Sequence, residues 1–401
     1  MKKIFFLMLL VCSYYVFSAN NWKQLNSGTT NMLTYVDFLN KDTGIVVGNN
    51  VILRTKDGGK NWENIKLGFY ASMSTVNYVN ENCVFISGDQ GLILKSTDGG
   101  SSWMILKSNV INTLYSIVFL NTDTGFVAGL NGMIMKTTDG GNNWIQLNSD
   151  INENIYHISF LNKDTGFVAA KYGNISRTID GGKTWQAQYS GSYNELTYVQ
   201  FVNKDFMYLV GDNGTILTST DLGKTWNSKN SNVQLYLNCV KNTSADTAYI
   251  VGYQGTILKT TDRGNSWTNE ITNTSERLIS INFPEKNTGY AVGNNGIILK
   301  TNNENDVINS VDDIKNSNID DFYLNYSALN NSLDFEFYNR HLNTCYVYIY
   351  DITGNLKYKE SFIESEKGML KRKIKIQLNK NSVYLLRFEG EFSGCKKFII
   401  N

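Results

Sequence analysis

The sequence is poor in the residues that most metal, redox and acid–base sites require. Its 401 residues include two histidines, five cysteines and a single proline. His157 and His341 are the only imidazoles, so the sequence lacks a Cys/His cluster of the kind that binds metals. Its glycine pairs read as turn residues and not as phosphate-binding loops between a strand and a helix. We therefore expect no metal, no cofactor and no catalytic residue, and we interpret His157 as a solvated or core-edge side chain.

Net charge and long apolar runs are also missing from most of the chain. Basic and acidic side chains number 37 and 36, which gives no general attraction to nucleic acid. The exception is the N-terminus, where Lys2 and Lys3 precede an apolar run over residues 4–17 that ends at Ser18 and Ala19. This pattern predicts a secretory signal peptide over residues 1–19, because the run is short for a membrane anchor. We expect no transmembrane segment in the mature chain.

Four cysteines follow the predicted leader, too few for a disulfide scaffold. Cys83 and Cys239 lie in repeats that are four apart, and we expect both to be buried free thiols. Cys345 and Cys395 belong to one C-terminal unit, where pairing and free thiols both remain open.

What the chain does contain is a repeat. The string T-K-D-G-G-K-N-W over residues 55–62 returns at intervals of 41 residues as far as Trp267. A fixed period of this length indicates a repeat architecture. The repeated aspartates and tryptophans are Asp57, Trp62, Asp98, Trp103, Asp139, Trp144, Asp180, Trp185, Asp221, Trp226, Asp262 and Trp267.

Each repeat has room for four short strands. In the third copy, residues 115–120, 126–129 and 133–137 are β-rich and are separated by Asn, Asp and Gly turns, and a fourth strand opens at Trp144. Four strands in about 40 residues is the size of one propeller blade. Seven copies of the third strand occur, and the seventh lacks its Asp and Trp.

The missing piece lies at the other end of the chain. Trp22 precedes the first full unit by 40 residues, one fewer than the period, because the first unit has G-N-N (48–50) where the second has G-D-Q-G (88–91). We therefore expect the N-terminal segment to complete the last blade, which would remove exposed strand edges. The prediction is an all-β, seven-bladed β-propeller over residues 20–302. The alternative, an open β-solenoid, does not need such a closing strand.

We interpret the repeated aspartates as structural. Asp accepts hydrogen bonds from backbone N–H groups two or three residues on, glycines tolerate left-handed backbone, and the Trp is expected to pack between hairpins. One Asp per blade on a common turn would place these carboxylates around the periphery, too far apart to form a catalytic or metal site.

The motif S/T-x-D-x-G-x-T-W resembles the Asp-box, or BNR repeat. Together with N-x-D-T-G-F-V-A-G and G-x-I-x-K-T-T-D-G-G, it resembles most the Ycf48/HCF136-like photosystem II assembly-factor family, over residues 21–302. The resemblance implies a protein-binding propeller without catalytic activity. Only this general role carries over, because nothing in the sequence points to a photosynthetic host.

Residues 303–320 are polar and predict a linker, and strands return over residues 321–401. We expect strands at 333–337, 345–351, 374–378, 383–388 and 396–400 in a small β-sandwich. The segment V-Y-I-Y-D-I-T-G-N-L (347–356) and the basic final strand resemble a type A sorting domain of the type IX secretion system. The Tyr-Pro-Asn-Pro opening of that family is absent, and Ser382 replaces its usual Gly. A generic carbohydrate- or protein-binding sandwich is the alternative. The resemblance implies the type IX machinery as a partner, with export through a periplasm to the cell surface or medium.

The enzymatic alternative is a sialidase-like glycoside hydrolase, since Asp-boxes occur in such propellers. That chemistry requires an arginine cluster with a Tyr/Glu nucleophile. Arg54 and Arg177 occupy a repeat position that is Lys in four other copies, at Lys95, Lys136, Lys259 and Lys300, so we interpret both as structural or solvated. Arg263 lies in an Asp-box turn, and only Arg277 is free for a special role.

If the propeller binds a partner, loops that break the repeat are the natural candidates. They should lie on the face opposite the Asp-boxes. These candidates are Tyr70, Asp89, Gln90, Lys171, Tyr172, Glu195, Asp212, Tyr236, Tyr253 and Arg277. The sequence thus predicts a secreted or cell-surface, non-catalytic scaffold that binds a protein of unknown identity, with extracellular glycan binding or hydrolysis as the alternative.

Overall fold

A computed structural model of the protein describes residues 22–301 and most of the C-terminal strands. The described C-terminal residues are 322–327, 332–339, 344–351, 356–363, 368–376, 378, 382–389 and 394–400. The chain divides into two compact units, Met1–Glu304 and Asn305–Asn401. The predicted leader (1–19) and linker (303–320) lie outside the described residues and stay predictions.

Residues 22–301 form seven antiparallel sheets of four strands, which we call blades 1 to 7. Blade 1 is β2 (Leu33–Phe38), β3 (Gly44–Gly48), β4 (Val51–Thr55) and β5 (Glu63–Ile65); blade 2 is β6 (Met73–Tyr78), β7 (Val84–Gly88), β8 (Ile93–Ser96) and β9 (Met104–Leu106); blade 3 is β10 (Leu114–Phe119), β11 (Gly125–Gly129), β12 (Ile134–Thr137) and β13 (Ile145–Leu147). Blade 4 is β14 (Ile155–Phe160), β15 (Gly166–Ala170), β16 (Asn174–Thr178) and β17 (Gln186–Tyr189); blade 5 is β18 (Leu196–Asn203), β19 (Phe206–Gly211), β20 (Ile216–Ser219) and β21 (Asn227–Lys229). Blade 6 is β22 (Leu237–Asn242), β23 (Ala248–Gly252), β24 (Ile257–Thr260) and β25 (Thr268–Asn269); blade 7 is β26 (Leu278–Glu285), β27 (Thr288–Gly293), β28 (Ile298–Thr301) and β1 (Trp22–Leu25).

Burial follows the position of a strand within its blade. The second strand is buried on both faces between neighbouring blades, as in β3, whose sequence G-I-V-V-G is a continuous apolar run. The fourth strand is largely exposed, as in β5. Short 3-10 turns follow the second strand at Asp89–Gly91, Leu130–Gly132, Lys171–Gly173, Tyr253–Gly255 and Asn294–Gly296.

The N-terminal strand closes the ring. β1 pairs with β28 so that Trp22 lies opposite Thr301, which makes β1 the outer strand of blade 7. The inner strands of consecutive blades contact each other around the circle, and β26 contacts β2. Both the seven-bladed propeller and its closure by the N-terminus are confirmed.

Each Trp packs between two blades, as predicted. Trp62 makes an edge contact with Phe38 of its own blade and lies in a core shared with Tyr290 of blade 7. Trp22 makes the same kind of contact with Phe283 and with Tyr249 of blade 6. The seven tryptophans therefore hold consecutive blades together.

The Asp-box aspartates accept hydrogen bonds from amides three and four residues on. Asp57 accepts hydrogen bonds from the backbone and side-chain nitrogens of Asn61, four residues on, at 2.9 and 2.7 Å. Asp98 also accepts from the Ser101 amide, three residues on, at 3.0 Å, so the expected span is confirmed at three residues and the turn adds a bond at four. Gly58 and Gly59 both have positive φ, as expected for this turn. The Thr55 hydroxyl completes the turn by donating to Asp57 at 2.8 Å and accepting from Gly59 at 2.9 Å.

The Lys/Arg repeat position also joins blades. Lys95 Nζ donates to the carbonyl of Gly140 in the next Asp-box at 2.9 Å, and Lys300 reaches Gly58 at 3.2 Å. Arg54, at the same position, is buried and pairs with Glu63 at 2.8 Å. Of the two interpretations, structural or solvated, the structural one therefore holds for Arg54.

Polar and aromatic side chains meet inside the central channel. The hydroxyls of Tyr35 and Tyr198 are 3.0 Å apart across the ring, and His157 stacks on Tyr198 at 3.6 Å. His157 is buried, so the expectation of a solvated side chain is wrong and the core-edge alternative is right. Burial, and then Lys241, lowers the pKa of His157 well below its usual value and keeps the ring neutral. Cys239 in this channel is a buried free thiol, as is Cys83, which confirms both predictions.

The C-terminal unit contains two antiparallel sheets, one of three strands in the order β29-β30-β33 and one of four in the order β32-β31-β34-β35. The strands are β29 (Phe322–Ser327), β30 (Ser332–Asn339), β31 (Thr344–Asp351), β32 (Leu356–Ile363), β33 (Gly368–Lys375), β34 (Ser382–Glu389) and β35 (Gly394–Ile400). β29 and β32 were not predicted, and the strand expected at 374–378 ends earlier and starts at Gly368.

The backbone register separates the two C-terminal cysteines. Cys345 lies on β31 and Cys395 on β35, with β34 between these strands. Two interstrand spacings amount to about 10 Å, beyond the roughly 7 Å that a disulfide can bridge between Cα atoms. The backbone therefore does not support the pairing that the sequence left open.

Candidate binding face

Hydrogen bonds between loops define the two faces of the propeller. On one face, the amide of Gly58 in the Asp-box donates to Asp42, in the turn between the first and second strands, at 2.9 Å. On the other face, the amide of Asp89, in the turn between the second and third strands, donates to Ser72 at the start of the blade at 3.0 Å. We call these the box face and the turn face. The arrangement is the one that the strand order predicts.

Four of the ten candidate residues meet at one place on the turn face. Glu195, Tyr236 and Arg277 directly precede the inner strands of blades 5, 6 and 7, and Tyr253 follows the second strand of blade 6. The Tyr236 hydroxyl donates to Glu195 Oε1. The rings of Tyr236 and Tyr253 are 5.4 Å apart, so Glu195, Tyr236 and Tyr253, from two neighbouring blades, lie in one cluster.

Arg277 completes this tyrosine–arginine cluster, which we define as Glu195, Tyr236, Asn238, Tyr253 and Arg277. Its guanidinium carbon lies 4.6 Å from the Tyr253 ring centroid and 5.7 Å from that of Tyr236. Its Nη2 donates to Asn238 Oδ1 at 2.8 Å. Two cation–π contacts and one hydrogen bond hold the guanidinium in place before any ligand arrives. Among the described residues, no carboxylate forms an ion pair with it.

Tyr236 of the cluster is a neutral hydrogen-bond donor. Burial, and then the hydrogen bond to Glu195, raises the pKa of Tyr236 far above its usual value. The ring therefore keeps its proton at physiological pH. The cluster thus combines an acceptor at Glu195, aromatic surface and a positive charge at Arg277.

Sequence reasoning missed three residues that extend or complete the cluster: Tyr115, Tyr156 and Asn238. Burial, and then Glu195, raises the pKa of Tyr156, and its ring lies 5.5 Å from that of Tyr115. All three occupy the second position of an inner strand, where the pairing has a bulge. They lie within strands, whereas the predicted binding residues lie in loops and at strand entries. The variation of this position from Thr to Tyr to Asn was the available signal.

The other candidates are spread around the turn face. Asp89 and Gln90 lie in the 3-10 turn of blade 2, Lys171 and Tyr172 in that of blade 4, and Asp212 in the turn of blade 5. Lys171 Nζ lies 4.9 Å above the Tyr172 ring. Tyr70 lies in the loop that leads to blade 2 and is 75% exposed.

The cluster has part of the composition of a sialidase-like site. Tyr236 and Glu195 form a hydrogen-bonded pair beside Arg277. Arg263, however, lies on the box face, where it pairs with Asp246 at 3.3 Å. Arg54 and Arg177 occupy the repeat position from which Lys95 donates to an Asp-box carbonyl. Arg277 is therefore the one arginine of residues 22–301 in the cluster, and the raised pKa of Tyr236 disfavours its ionised, nucleophilic form.

Metal sites and membrane-spanning helices can be assessed for the described part of the chain. There, no group of three or more His, Cys, Asp or Glu side chains is placed to hold a metal ion. Within the same residues, no helix has the length and apolarity needed to cross a membrane.

Fold and site together define the class: this is a seven-bladed propeller of the Asp-box type whose non-repeated side chains gather on the turn face. The family follows from the sequence of the repeats. The chain matches the family described as "Photosynthesis system II assembly factor YCF48" over residues 15–110, 101–188, 141–235, 190–269 and 229–302. The protein belongs to this family.

Solved structures support the fold. One described as "YCF48 bound to D1 peptide" is 20% identical with a TM-score of 0.63, and the match covers 71% of this chain and 95% of that one. "YCF48 from Cyanidioschyzon merolae" is 20% identical with a TM-score of 0.61 and coverages of 71% and 99%. The WD40 propeller domain of Doa1 is 11% identical with a TM-score of 0.58 and coverages of 69% and 94%. A search of curated proteins found no match.

Proposed function

We propose that the protein is a non-catalytic scaffold whose propeller binds a protein partner through the turn face. The observation that carries this proposal is the tyrosine–arginine cluster. Tyr and Arg are the residues that most often dominate binding energy at protein interfaces. Arg277 is fixed between two rings and has no ion-pair partner among the described residues, so it is prepared to receive an acceptor group from outside.

Family membership supports the same role. A relative in this family has been solved as "YCF48 bound to D1 peptide", and a peptide is the class of ligand that we propose here. The identity of this protein's partner does not follow from that structure, because a match at 20% identity supports only the fold.

Capture of partners by matched variants tests the proposal. The mature protein is used to capture partners from an envelope extract, alongside Arg277→Ala and Arg263→Ala. We expect Arg277→Ala to weaken capture by about 30-fold, which corresponds to roughly 2 kcal/mol for a hot-spot residue. Arg263→Ala makes the same change on the box face and should leave capture unchanged. Equal losses in both variants, or a loss only in Arg263→Ala, would contradict the assignment of the turn face.

The proposal includes secretion to the cell surface or the medium. It is supported by the basic and apolar N-terminal pattern and by the C-terminal motifs that resemble a type IX sorting domain. A chain that lacks residues 307–401 should be retained in the periplasm, whereas the full chain should reach the surface. Surface display of the truncated chain would contradict the sorting role.

Glycan binding or hydrolysis is the second candidate, favoured by the Tyr236–Glu195 pair beside Arg277. A glycan array and a sialoside hydrolysis assay of the mature protein distinguish it from the scaffold. Glycan binding that is abolished by Arg277→Ala, together with no captured protein, would replace the scaffold proposal.

A further inference from the structure

Blade 1 departs from the other blades at two positions that face each other. Its turn between the second and third strands reads G-N-N-V, whereas that of blade 7 reads G-N-N-G-I, so blade 1 lacks one glycine. The following loop has Leu67 at a position that carries a hydroxyl in every other blade. Those hydroxyl residues are Ser27, Ser108, Ser149, Ser190, Ser231 and Thr272.

In the other blades, the turn glycine and the loop hydroxyl lie next to each other and fill the space between the turn and the loop. Gly132 of blade 3 has a φ of +69°, and any side chain there would collide with the Ile151 carbonyl of the adjacent loop. The Ser149 hydroxyl donates to the Gly132 carbonyl at 2.7 Å and thereby ties the loop to the turn. Blade 1 has neither group, and Asn50 is the one left-handed residue of its turn.

A cavity of about 370 Å³ occupies the corresponding place in blade 1. Its floor includes the buried side chains of Ile52 and Met73, and its wall includes Leu67. Phe69 and Tyr70 line it from the loop, although they are 41% and 75% exposed. Large apolar side chains exposed beside an opening are typical of interaction sites.

The volume and the charge at this opening limit what fits it. Ligand pockets span about 300–1,000 Å³, so a cavity at the lower end suits one bulky side chain and not an extended molecule. Lys66 is the one charged residue of the lining, and it forms no ion pair within the described part of the chain. A ligand with a carboxylate next to its apolar group would complement this charge.

We propose that the blade 1 cavity is an anchor pocket for a bulky apolar side chain that has an acidic neighbour in an extended segment of the partner. The inference rests on the proposed function, since the loops that form the pocket belong to the turn face. It adds a second contact on a different blade from the tyrosine–arginine cluster.

Isoleucine methyl resonances of the mature protein test the pocket without a partner. The probes are N-acetyl-Asp-Phe-amide and N-acetyl-Lys-Phe-amide. We expect saturable shifts of Ile52 and Ile65, which line the cavity, and none of Ile93 and Ile134, which open the third strands of blades 2 and 3. The Lys probe should bind roughly two- to five-fold more weakly, as for an exposed ion pair. No saturable shift of Ile52 or Ile65 would overturn the proposal.

A glycine inserted between Asn50 and Val51 converts the turn to that of blade 7 and should close the cavity. In this variant the probe-induced shifts should disappear, while Ile93 and Ile134 keep their positions as a control for folding. Leu67→Ser restores the hydroxyl alone and should weaken the probe. Shifts that persist in both variants would overturn the proposal.

Partner capture separates this proposal from the proposed function. If the insertion variant captures the partner as well as the wild type does, the anchor pocket is overturned and the scaffold stands. If the wild type binds the probe but captures no protein, the proposed function fails and the pocket as a side-chain site stands.

Discussion

The box face and the turn face of the propeller are built from the same repeat but differ in how strictly they follow it. Six blades carry the Asp-box with the same hydrogen bonds from a Thr or Ser hydroxyl and from an amide four residues on. On the turn face, the residue before the inner strand changes from Met32 to Glu195 to Arg277. The comparison teaches that repeated polar residues stabilise the ring, whereas residues that break the repeat are free for recognition.

The largest effect is expected where the ring closes. Trp22→Ala should lower the free energy of unfolding by about 3–5 kcal/mol, because a fully buried indole between blades 6 and 7 leaves a cavity. Urea denaturation of the mature protein measures the change. Tyr70→Ala removes an aromatic ring from the turn face and should change stability by less than about 0.5 kcal/mol. Similar losses in both variants would remove the distinction between framework and surface.

The next largest effect on the free energy of unfolding is expected from the ionisation of Asp37, which lies in the central channel. Burial raises its pKa to about 6, although Tyr78 N–H and the Asn282 side chain donate to it. The pKa of Asp37 is higher in the folded protein than in the unfolded chain. Its contribution to the free energy of unfolding is therefore fully present below about pH 4 and is lost as pH rises through 6. The contribution of Asp37 to the free energy of unfolding should be larger at pH 4 than at pH 7 by about 2 kcal/mol, and Asp37→Asn should remove this difference. An unchanged pH profile in this variant would contradict the role of Asp37.

Blade 2 has one aspartate on each face, so substituting them compares the two faces within a single blade. Asp98→Ala on the box face should cost about 1–2 kcal/mol, because two backbone amides and the Ser102 hydroxyl lose their acceptor. Asp89→Ala on the turn face should stay within about 0.5 kcal/mol. Thermal and urea unfolding measure both, and the reverse order would contradict the assignment.

The smallest change in stability per residue is expected at acidic pH, where the Asp-box aspartates become protonated. Hydrogen bonds from Ser102 hold the pKa of Asp98 at about 2, and similar bonds do so for Asp180 and Asp262. Since the folded pKa lies below the ordinary 3.8, stability is present above about pH 4 and is lost as pH falls towards 2. Asp98→Asn should reduce the slope of stability against pH in this window. An unchanged slope would show that Asp98 is not linked to acid unfolding.

The fold could be predicted because a single sequence period recurs from Trp62 to Trp267. The 41-residue spacing of the tryptophans gives the blades, and the one-residue deficit at residues 48–50 accounts for the 40-residue spacing from Trp22. The C-terminal unit has no such repeat, and β29 and β32 were missed there.

The candidate site could be predicted only in part. Glu195, Tyr236, Tyr253 and Arg277 were found because they interrupt the repeat, but their convergence depends on how neighbouring blades approach at the channel mouth. Tyr156 was missed because it lies within an inner strand, whereas the predicted binding residues were taken from loops. The blade 1 cavity likewise needs the three-dimensional position of Leu67 opposite the shortened turn.

Hydrogen exchange of the mature protein with its captured partner tests the central claim most directly. We predict slower exchange at residues 232–238 and 253–255, around the tyrosine–arginine cluster, and unchanged exchange in the Asp-box turns. Protection of the Asp-box turns with no change around Tyr236 and Tyr253 would contradict it.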